Sequence, residues 1–299
     1  MNRIKDPYSI AIIGPGKVGT SLGILYAQNG GRVIAVGGRN LEKARIAAAQ
    51  IDPEVISTNI VEAASLADYV VISVADDAIK TVCEMIADKK GFRNGSVVIH
   101  CSGALSRNEL ISAREKSNCR LGSMHPLQTF PNIPSALQTL PGTYCFYEGD
   151  NVAITFMKYF SRKIGMKAEK IDGDLKSLYH ASAVIACNYV TALLDAAIET
   201  ASLSGIEPQK AWLALRPLIE ATLLNIDQSG TGSALTGPIS RGDIHTVRRH
   251  LYDLDNHCPE IGPLYRELGL RTLAIAYKKK GLSNERHEML LNLLKSSGV

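Results

Sequence analysis

The chain has 299 residues, of which 45% are hydrophobic and 21% are charged, so it has the composition of an ordinary folded protein and the length of two domains. The net charge of +4 arises from 33 basic and 29 acidic side chains, and no arm or long run concentrates either charge. This pattern gives no support to a nucleic-acid partner, and we expect none.

Membrane and disulfide-rich classes are also not expected. The first ten residues lack the apolar segment of a signal peptide, and no stretch approaches about 18 uninterrupted apolar residues. The six cysteines have no C-x-x-C spacing and fall mostly in apolar segments, as is typical of reduced, buried thiols. We therefore expect a cytoplasmic protein that has no contact with a membrane.

From Ser9 onward, short β-branched runs alternate with segments of helical character. The runs "SIAIIG", "RVIAVGG", "DYVVISVA" and "GSVVIHCSG" are continuously apolar, as strands of a parallel sheet covered on both faces are. The predicted helices are 17–29, 41–50 and 77–89, and further strands are predicted at 120–125, 142–147 and 167–171. This order predicts an α/β fold with a doubly wound, mostly parallel Rossmann sheet.

After Ile171 the β-branched runs disappear and Ala/Leu-rich helical periods replace them. We predict a Rossmann-like dinucleotide-binding domain over 1–172 and an all-helical domain for substrate binding and dimerisation over 173–299. Its helices are predicted at 174–203, 207–228, 243–254, 260–278 and 284–295. The boundary is too short for a flexible linker, so we expect the two domains to enclose a cleft.

The segment "GPGKVG" at 14–19 matches the dinucleotide-binding pattern G-x-G-x-x-G, with a strand before it and a helix after it. Gly14 would permit the tight turn, Gly16 the close approach of a pyrophosphate, and Gly19 the packing of helix on strand. The first N–H groups of the helix would bind the anion. The expected contacts of this loop are Gly14, Pro15, Gly16, Lys17, Val18 and Gly19.

The end of the second strand predicts which dinucleotide binds. NAD sites place an acidic residue there, whereas this strand ends in "AVGGRNLEKA". Arg39 stands where a ribose 2′-phosphate would lie, although a solvated surface arginine is the alternative. We therefore expect NADP(H), held in this region by Gly38, Arg39, Asn40 and Lys43.

Polar residues follow three other predicted strands, and ligands bind beyond the carboxyl ends of such strands. Val74, Ala75 and Asp76 are expected to contact the cofactor, although Asp76 or Asp77 could instead cap the following helix. Ser102 and Gly103 suit a substrate carboxylate or carbonyl, with helix capping as the alternative for Ser102. His125 and Gln128 are expected to contact the substrate.

The stretch "LKSLYHASAVIACN" at 175–188 places Lys176 and His180 one helical turn apart, about 6 Å along the axis. Both belong to a polar stripe, with Leu178 and Ile185 on the far side. A solvated helix face is one interpretation. The other is that Lys176 acts as general acid or base and His180 orients it or replaces it.

The segment "TGPISRGD" at 236–243 contains signals for ending one helix and starting another, with Asp243 placed as an N-cap. Arg241 is not explained in this way and could bind an anionic substrate. The nearby histidines and aspartates lack any familiar metal-ligand spacing, so we expect no metal.

The motifs "GPGKVG", "SVADD", "HCSG" and "GSMHPLQTF", followed by "KSLYHASAVIACNY" and "ALTGPISRGD", resemble an uncharacterised family. That family joins a Rossmann-like NADP-binding domain to a C-terminal helical domain of unknown function. More distantly, the chain resembles the superfamily of 6-phosphogluconate dehydrogenase, ketopantoate reductase and pyrroline-5-carboxylate reductase.

In the hydroxy-acid members of that superfamily, a Ser-Gly-Gly turn holds the substrate carboxylate and a Lys-x-x-x-Asn helix carries the acid/base lysine. The corresponding residues here are Ser102-Gly103-Ala104 and the pair Lys176 and His180, with histidine in place of asparagine. The resemblance also implies a homodimer through the helical domain.

These observations predict an NADP(H)-dependent oxidoreductase that transfers hydride to or from a small carbonyl, imine or hydroxy-acid substrate in the cleft between the domains. The alternative is a non-catalytic NADP(H)-binding sensor, favoured by the departure from Lys-x-x-x-Asn. A hydrolase lacks a clustered nucleophile and base.

Overall fold

A computed structural model describes residues 8–279 and 281–296. The chain folds into two compact units, one ending at Ala186 and the other beginning at Cys187. The first unit contains all eight strands of the described residues, and the second is built from helices. The predicted α/β fold with a helical C-terminal part is confirmed.

The eight strands form one sheet in the order β3-β2-β1-β4-β5-β6-β7-β8. Strands β1 to β6 pair in parallel, β7 pairs antiparallel to β6, and β8 pairs parallel to β7. Their bounds are β1 Ser9–Ile13, β2 Arg32–Gly37, β3 Ile56–Thr58, β4 Tyr69–Ile72, β5 Val97–His100, β6 Arg120–Pro126, β7 Tyr144–Gly149 and β8 Lys167–Lys170.

Helices cover both faces of this sheet because its central strands are apolar on both sides. One core cluster includes Ile12, Leu22 and Phe156, and the opposite cluster includes Ile13, Ile79 and Val98. The helices are α1 Lys17–Gln28, α2 Leu41–Ile51, α3 Ile60–Ser65, α4 Asp76–Asp88, α5 Ile111–Ser117, α6 Ile133–Thr139, α7 Asn151–Lys163 and α8 Lys176–Ala186.

The helical unit has its own small core, which includes Val247, Leu273 and Leu290. Its helices are α9 Asn188–Leu203, α10 Pro208–Ala234, α11 Pro238–Arg241, α12 Ile244–His257, α13 Gly262–Lys278 and α14 Asn284–Lys295. The predicted cap is present, because the Asp243 side chain accepts a hydrogen bond from Thr246 N at the start of α12.

The single helix predicted over 174–203 is wrong. The chain leaves helical geometry at Cys187, where φ is −123° and ψ is −66°, so a helical wheel cannot be continued from α8 into α9. The predicted polar stripe is also wrong in its burial. Lys176 is 1% exposed, whereas Leu178 and Ile185 are 69% and 60% exposed.

The same region is strongly apolar. By length and composition, Gly173–Leu203 could cross a membrane, with a mean hydropathy of 1.6. No such segment is expected when only uninterrupted apolar runs are considered. A single segment of this kind is weak evidence of a membrane span. The helix is interrupted at Cys187, and Lys176 near its start is hydrogen-bonded to Ser123 of the sheet. Both observations argue against one continuous membrane-spanning helix.

All six cysteines are free, as expected. Cys83, Cys119, Cys145 and Cys258 are buried. Two positions correct the expectation of uniform burial: Cys101 is half-buried, and Cys187, at the interruption between α8 and α9, is exposed.

Candidate active site

The glycine-rich loop joins β1 to α1 at the carboxyl edge of the sheet. Gly14 has a φ of +108°, which favours glycine, and a Cβ there would lie 2.9 Å from Val74 Cγ1. Ser73 Oγ donates a hydrogen bond to Gly14 O at 3.0 Å and so fixes the loop to the end of β4. The tight turn expected at Gly14 is therefore present, and the structure adds a contact of this loop with the residues after β4.

Gly16 is the N-cap of α1 and has no side chain that could occupy the first N–H groups of the helix. A Cβ at Gly16 would have its nearest neighbour 4.0 Å away, and both Gly16 and Lys17 are exposed. The space in front of the helix N-terminus is open, so this loop fits a nucleotide pyrophosphate.

The end of β2 supplies the second part of the predicted cofactor site. Arg39 and Lys43 are exposed, and the Asn40 side chain accepts a hydrogen bond from Lys43 N as the N-cap of α2. Gly38 packs against Pro15, since a Cβ there would lie 3.0 Å from the proline ring. An exposed arginine beside a helix N-terminus, near a strand end without a carboxylate, fits a 2′-phosphate.

The ends of β4 and β5 are joined by Asp76 and Ser102. Ser102 Oγ donates to Asp76 Oδ2 at 2.7 Å and accepts from Ala104 N and Leu105 N. The Ser102 hydroxyl is therefore fully engaged inside the protein, but it closes a local turn and does not cap a helix, because the next helical turn begins after Ser106. Asp76 does not cap α4 with its side chain, because Ala75 is the N-cap residue there. This corrects the capping interpretation of Asp76.

Lys176 begins α8 and directs its side chain into the sheet unit. Its Nζ donates to Ser102 O and to Ser123 Oγ, both at 2.7 Å. Ser123 Oγ in turn donates to Glu148 Oε1 at 2.6 Å, and Glu148 also accepts from Arg107 N at 2.7 Å. The lysine is thus linked through one hydroxyl to a buried carboxylate.

Burial lowers the pKa of Lys176 to about 8, and the attraction of Glu148 partly opposes this effect. Near neutral pH the amine therefore remains largely protonated and balances the charge of Glu148. Glu148 also lines a polar cavity of about 550 Å³ on the sheet unit, together with Arg107, Lys170 and Asp172.

One turn further along α8, two imidazole rings meet over Gly103. A Cβ at Gly103 would lie 2.5 Å from His180 Nδ1 and 2.9 Å from His125 Nε2, and the ring centroids of the two histidines are 5.6 Å apart. Only glycine leaves room for this arrangement. Within the described chain, His180 Nδ1 is buried without a hydrogen-bond partner.

Tyr179 completes this group, because its hydroxyl oxygen lies 2.8 Å from His125 Nδ1. Burial lowers the pKa of His125 to about 4, with the nearby charges of His180 and Lys176 adding to the effect. Burial also raises the pKa of Tyr179. Near neutral pH, His125 is therefore neutral and Tyr179 keeps its proton.

Of the predicted site residues, the sheet unit brings together Ser102, Gly103, His125, Lys176 and His180. Gln128 lies in the loop after β6, where its side-chain oxygen accepts from Thr129 N at 2.8 Å. Arg241 belongs to the helical unit and is exposed. The roles assigned to these residues stay predictions.

Three candidate metal ligands lie close together in the helical unit: Glu199, Cys258 and Glu260, whose ligand atoms lie within 4.8 Å of one another. Both glutamates are exposed, and burial raises the pKa of the Cys258 thiol, which disfavours the thiolate that binds metal. The cluster adds no support for a metal site.

Two residues of this site, Tyr179 and Glu148, were not predicted from the sequence, whereas Ser123 belongs to the polar strand end that also carries His125. Tyr179 could have been noticed, because it directly precedes His180 in the helix. Glu148 has no local signal, since it meets Ser123 only through the antiparallel pairing of β6 with β7, which sets the two residues opposite each other.

Comparison with protein families places this site in a known context. Residues 2–126 match the Rossmann-like domain, and residues 143–272 match a domain of unknown function, DUF2520. This combination confirms the resemblance inferred from the motifs. No protein of curated function matches the chain.

Solved structures share the fold over most of the chain. A candidate NADP oxidoreductase from Bacteroides fragilis has 23% identity and a TM-score of 0.70, covering 91% of this chain and 100% of its own. Protein TM1727 from Thermotoga maritima has 25% identity and a TM-score of 0.70, covering 91% and 99%. A pyrroline-5-carboxylate reductase from Coxiella burnetii has 20% identity and a TM-score of 0.56, covering 93% and 100%.

Proposed function

We propose that the protein is an NADP(H)-dependent oxidoreductase that transfers hydride to or from a small carbonyl, imine or hydroxy-acid substrate. The observation that carries this proposal is the meeting of His125 and His180 over Gly103, beyond the carboxyl end of β5. The glycine-rich loop lies at the same edge of the sheet, two strands away. The similarity to a candidate NADP oxidoreductase and to a reductase supports the same class.

NADPH, when bound, supplies the hydride. The loop from Gly14 to Gly19 would hold its pyrophosphate, and Arg39 with Lys43 its 2′-phosphate. The loop after β4, which includes Val74, Ala75 and Asp76, would lie along the cofactor. The missing carboxylate at the end of β2 favours NADP(H) over NAD(H).

His180 is the group proposed to hold or release a proton at the substrate, a task for which imidazole is a common choice. His125, which is neutral because burial lowers its pKa to about 4, is proposed to donate a hydrogen bond to the substrate. Lys176 is proposed to act mainly through its charge, since both of its hydrogen bonds are to protein groups and it is 1% exposed. Its positive charge near the site favours an anionic or polarised substrate.

The test is NADPH oxidation by the purified protein against a panel of small keto acids and cyclic imines. His180→Ala should lower turnover at least about 100-fold, with NADPH affinity unchanged. Lys176→Met should lower turnover as well if its charge contributes. Failure of the wild-type protein to oxidise NADPH with any member of the panel would reject the proposal.

A second candidate is a non-catalytic NADP(H)-binding sensor. The burial of Lys176 favours it, because the amine predicted as acid or base has no direct path to a substrate in this structure. Saturable NADPH binding without turnover would support this candidate.

We further propose that the protein forms a homodimer through its helical unit. On α10, Leu213, Leu218, Leu223 and Leu224 are 56–65% exposed, and such an apolar face is typical of an interface. An apolar groove of about 900 Å³ in the same unit, lined in part by Leu193 and Leu264, adds to this surface. Sedimentation equilibrium would test it. Cytoplasmic localisation stays a prediction.

A further inference from the structure

Tyr179 is held in one position beside His125. Its ring packs on Phe146, with the centroids 4.8 Å apart, and meets the His125 ring edge-on at 5.6 Å. Its hydroxyl oxygen lies 2.8 Å from His125 Nδ1. The contact is therefore supported by packing on two sides as well as by the hydrogen bond.

The direction of this hydrogen bond follows from the chemistry of the two groups. A neutral imidazole has one donor nitrogen and one acceptor nitrogen, and His125 is neutral because burial lowers its pKa to about 4. A phenol is a strong donor and a weak acceptor, since its oxygen lone pair is delocalised into the ring. Tyr179 therefore donates to Nδ1, and the proton of His125 is on Nε2.

His125 Nε2 is the nitrogen that faces Gly103, 2.9 Å from the position of a Cβ there. The charged and titratable groups around this imidazole are Tyr179, His180 and Lys176, all on α8. The positive charge of Lys176 favours a negative or electron-rich ligand atom beside Nε2–H.

We propose that Tyr179 is a positioning residue that fixes His125 as an Nε2–H donor, so that the site selects ligands presenting a hydrogen-bond acceptor. The substrate class is then a keto acid or hydroxy acid, whose carbonyl or carboxylate oxygen accepts from His125, in preference to a protonated amine or iminium. The substrate class named here rests on the proposed oxidoreductase function, whereas the tautomer does not.

The tautomer can be measured directly by long-range proton–nitrogen NMR spectra of the full chain labelled with 15N-histidine. The His125 signals are assigned by their loss in His125→Gln. In the wild-type protein at pH 7 to 8, we expect a protonated Nε2 and a hydrogen-bonded, unprotonated Nδ1. A proton on Nδ1 would overturn the proposal.

Tyr179→Phe removes only the hydroxyl and keeps the ring that packs on Phe146. The His125 Nδ1 resonance should move toward that of a nitrogen without a hydrogen bond. Tyr144→Phe is the matched control, because the Tyr144 ring also stacks on Phe146, at 6.0 Å. An unchanged Nδ1 resonance in Tyr179→Phe would show that Tyr179 does not position His125.

Ligand preference can be tested with two small probes of similar size, acetate as acceptor and methylammonium as donor. Acetate should shift the His125 Nε2–H signal saturably, whereas methylammonium should not. Tyr179→Phe should weaken acetate binding about three- to tenfold, because the hydrogen bond from His125 Nε2–H to acetate is then no longer held in one tautomer. Tyr144→Phe should leave it unchanged. A response to methylammonium alone, or to neither probe, would overturn the preference.

None of these NMR measurements requires NADPH oxidation. A protein with the expected tautomer and acetate preference but no turnover would reject the proposed function and leave the Tyr179 assignment intact. A protein that turns over substrate while carrying its His125 proton on Nδ1 would do the reverse.

Discussion

Lys176 Nζ donates a 2.7 Å hydrogen bond to the backbone carbonyl of Ser102, a residue 74 positions earlier in the chain. The same ammonium group donates to Ser123 Oγ, so one buried lysine joins the first turn of α8 to the loop after β5 and to the middle of β6. Burial of a charged amine without full compensation has a free-energy cost that depends on pH.

That cost gives a first prediction, for Lys176→Met. The pKa of Lys176 is about 8 in the folded chain, against an ordinary value of 10.5. Between these two pH values the unfolded chain binds more protons, so raising the pH favours the folded state. The free energy of unfolding of the wild-type protein, relative to Lys176→Met, should therefore rise by about 3 kcal/mol from pH 8 to 10.5.

Urea unfolding across this pH range measures the effect. Lys80→Met, at an exposed position, serves as the control and should show a much smaller change with pH. If the difference in the free energy of unfolding between wild type and Lys176→Met does not change with pH, the burial of the amine seen in the structure is contradicted.

Glu148→Gln removes the carboxylate at the other end of the hydrogen-bonded chain. Ser123 Oγ and Arg107 N both donate to Oε1, and an amide oxygen there can accept both bonds. The ion pair of Oε2 with Arg107 Nη1 is lost, and Lys176 loses its counter-charge. We expect a loss of about 2 kcal/mol in the free energy of unfolding at pH 7. The pKa of Lys176 should fall further, because Glu148 raises it.

Asp150→Asn is a comparison for this variant. Asp150 is also an acid near Arg107, 3.9 Å from its Nε, and it pairs with Arg114. Its loss should change stability without moving the pH range in which Lys176 titrates. Equal movement of that range in both variants would contradict the assigned pairing.

Gly103→Ala tests the meeting point of the two histidines. The added Cβ would lie 2.5 Å from His180 Nδ1, so the imidazole has to move. We expect an altered His180 NMR signal and a loss of turnover of at least about tenfold, with NADPH affinity nearly unchanged because the glycine-rich loop is untouched. Unchanged turnover would place the reaction away from Gly103.

Arg39→Glu tests the choice of cofactor. Reversing this charge should weaken NADPH binding about tenfold or more, since a charged hydrogen bond to phosphate is lost and a repulsion is added. NADH binding should change little. Arg32→Glu, at the exposed start of the same strand, provides the same charge change at its other end. Equal weakening of NADPH and NADH in Arg39→Glu would argue against a 2′-phosphate contact.

Local patterns were sufficient to predict much of the sheet unit. Continuous apolar runs ending in glycine or serine marked β1, β2, β4 and β5, and the spacing of Gly14, Gly16 and Gly19 located the loop. The short strand β3 and the helices α3, α5 and α6 were missed, because segments of three to seven residues carry too little periodicity.

The environment of Lys176 could not be predicted in the same way. Helical periodicity placed it on a polar stripe with His180, but its partners Ser102, Ser123 and Glu148 come from the loop after β5, from β6 and from β7. Only the pairing of those strands decides that the amine is buried. The interruption at Cys187 was equally invisible, because its neighbours are good helix formers.

The reversed direction of β7 and β8 has a consequence for how the chain reaches its own chemistry. Strand β8 runs opposite to β6, and its last residue, Lys170, pairs with Tyr147 at the level of Met124 in β6. The chain therefore leaves the sheet beside the carboxyl half of β6, and α8 begins there. Its first turn passes Ser123 and its second reaches His125. A β8 parallel to β6 would carry the chain past the carboxyl edge of the sheet, so the two inverted strands let one short helix supply Lys176, Tyr179 and His180 in succession.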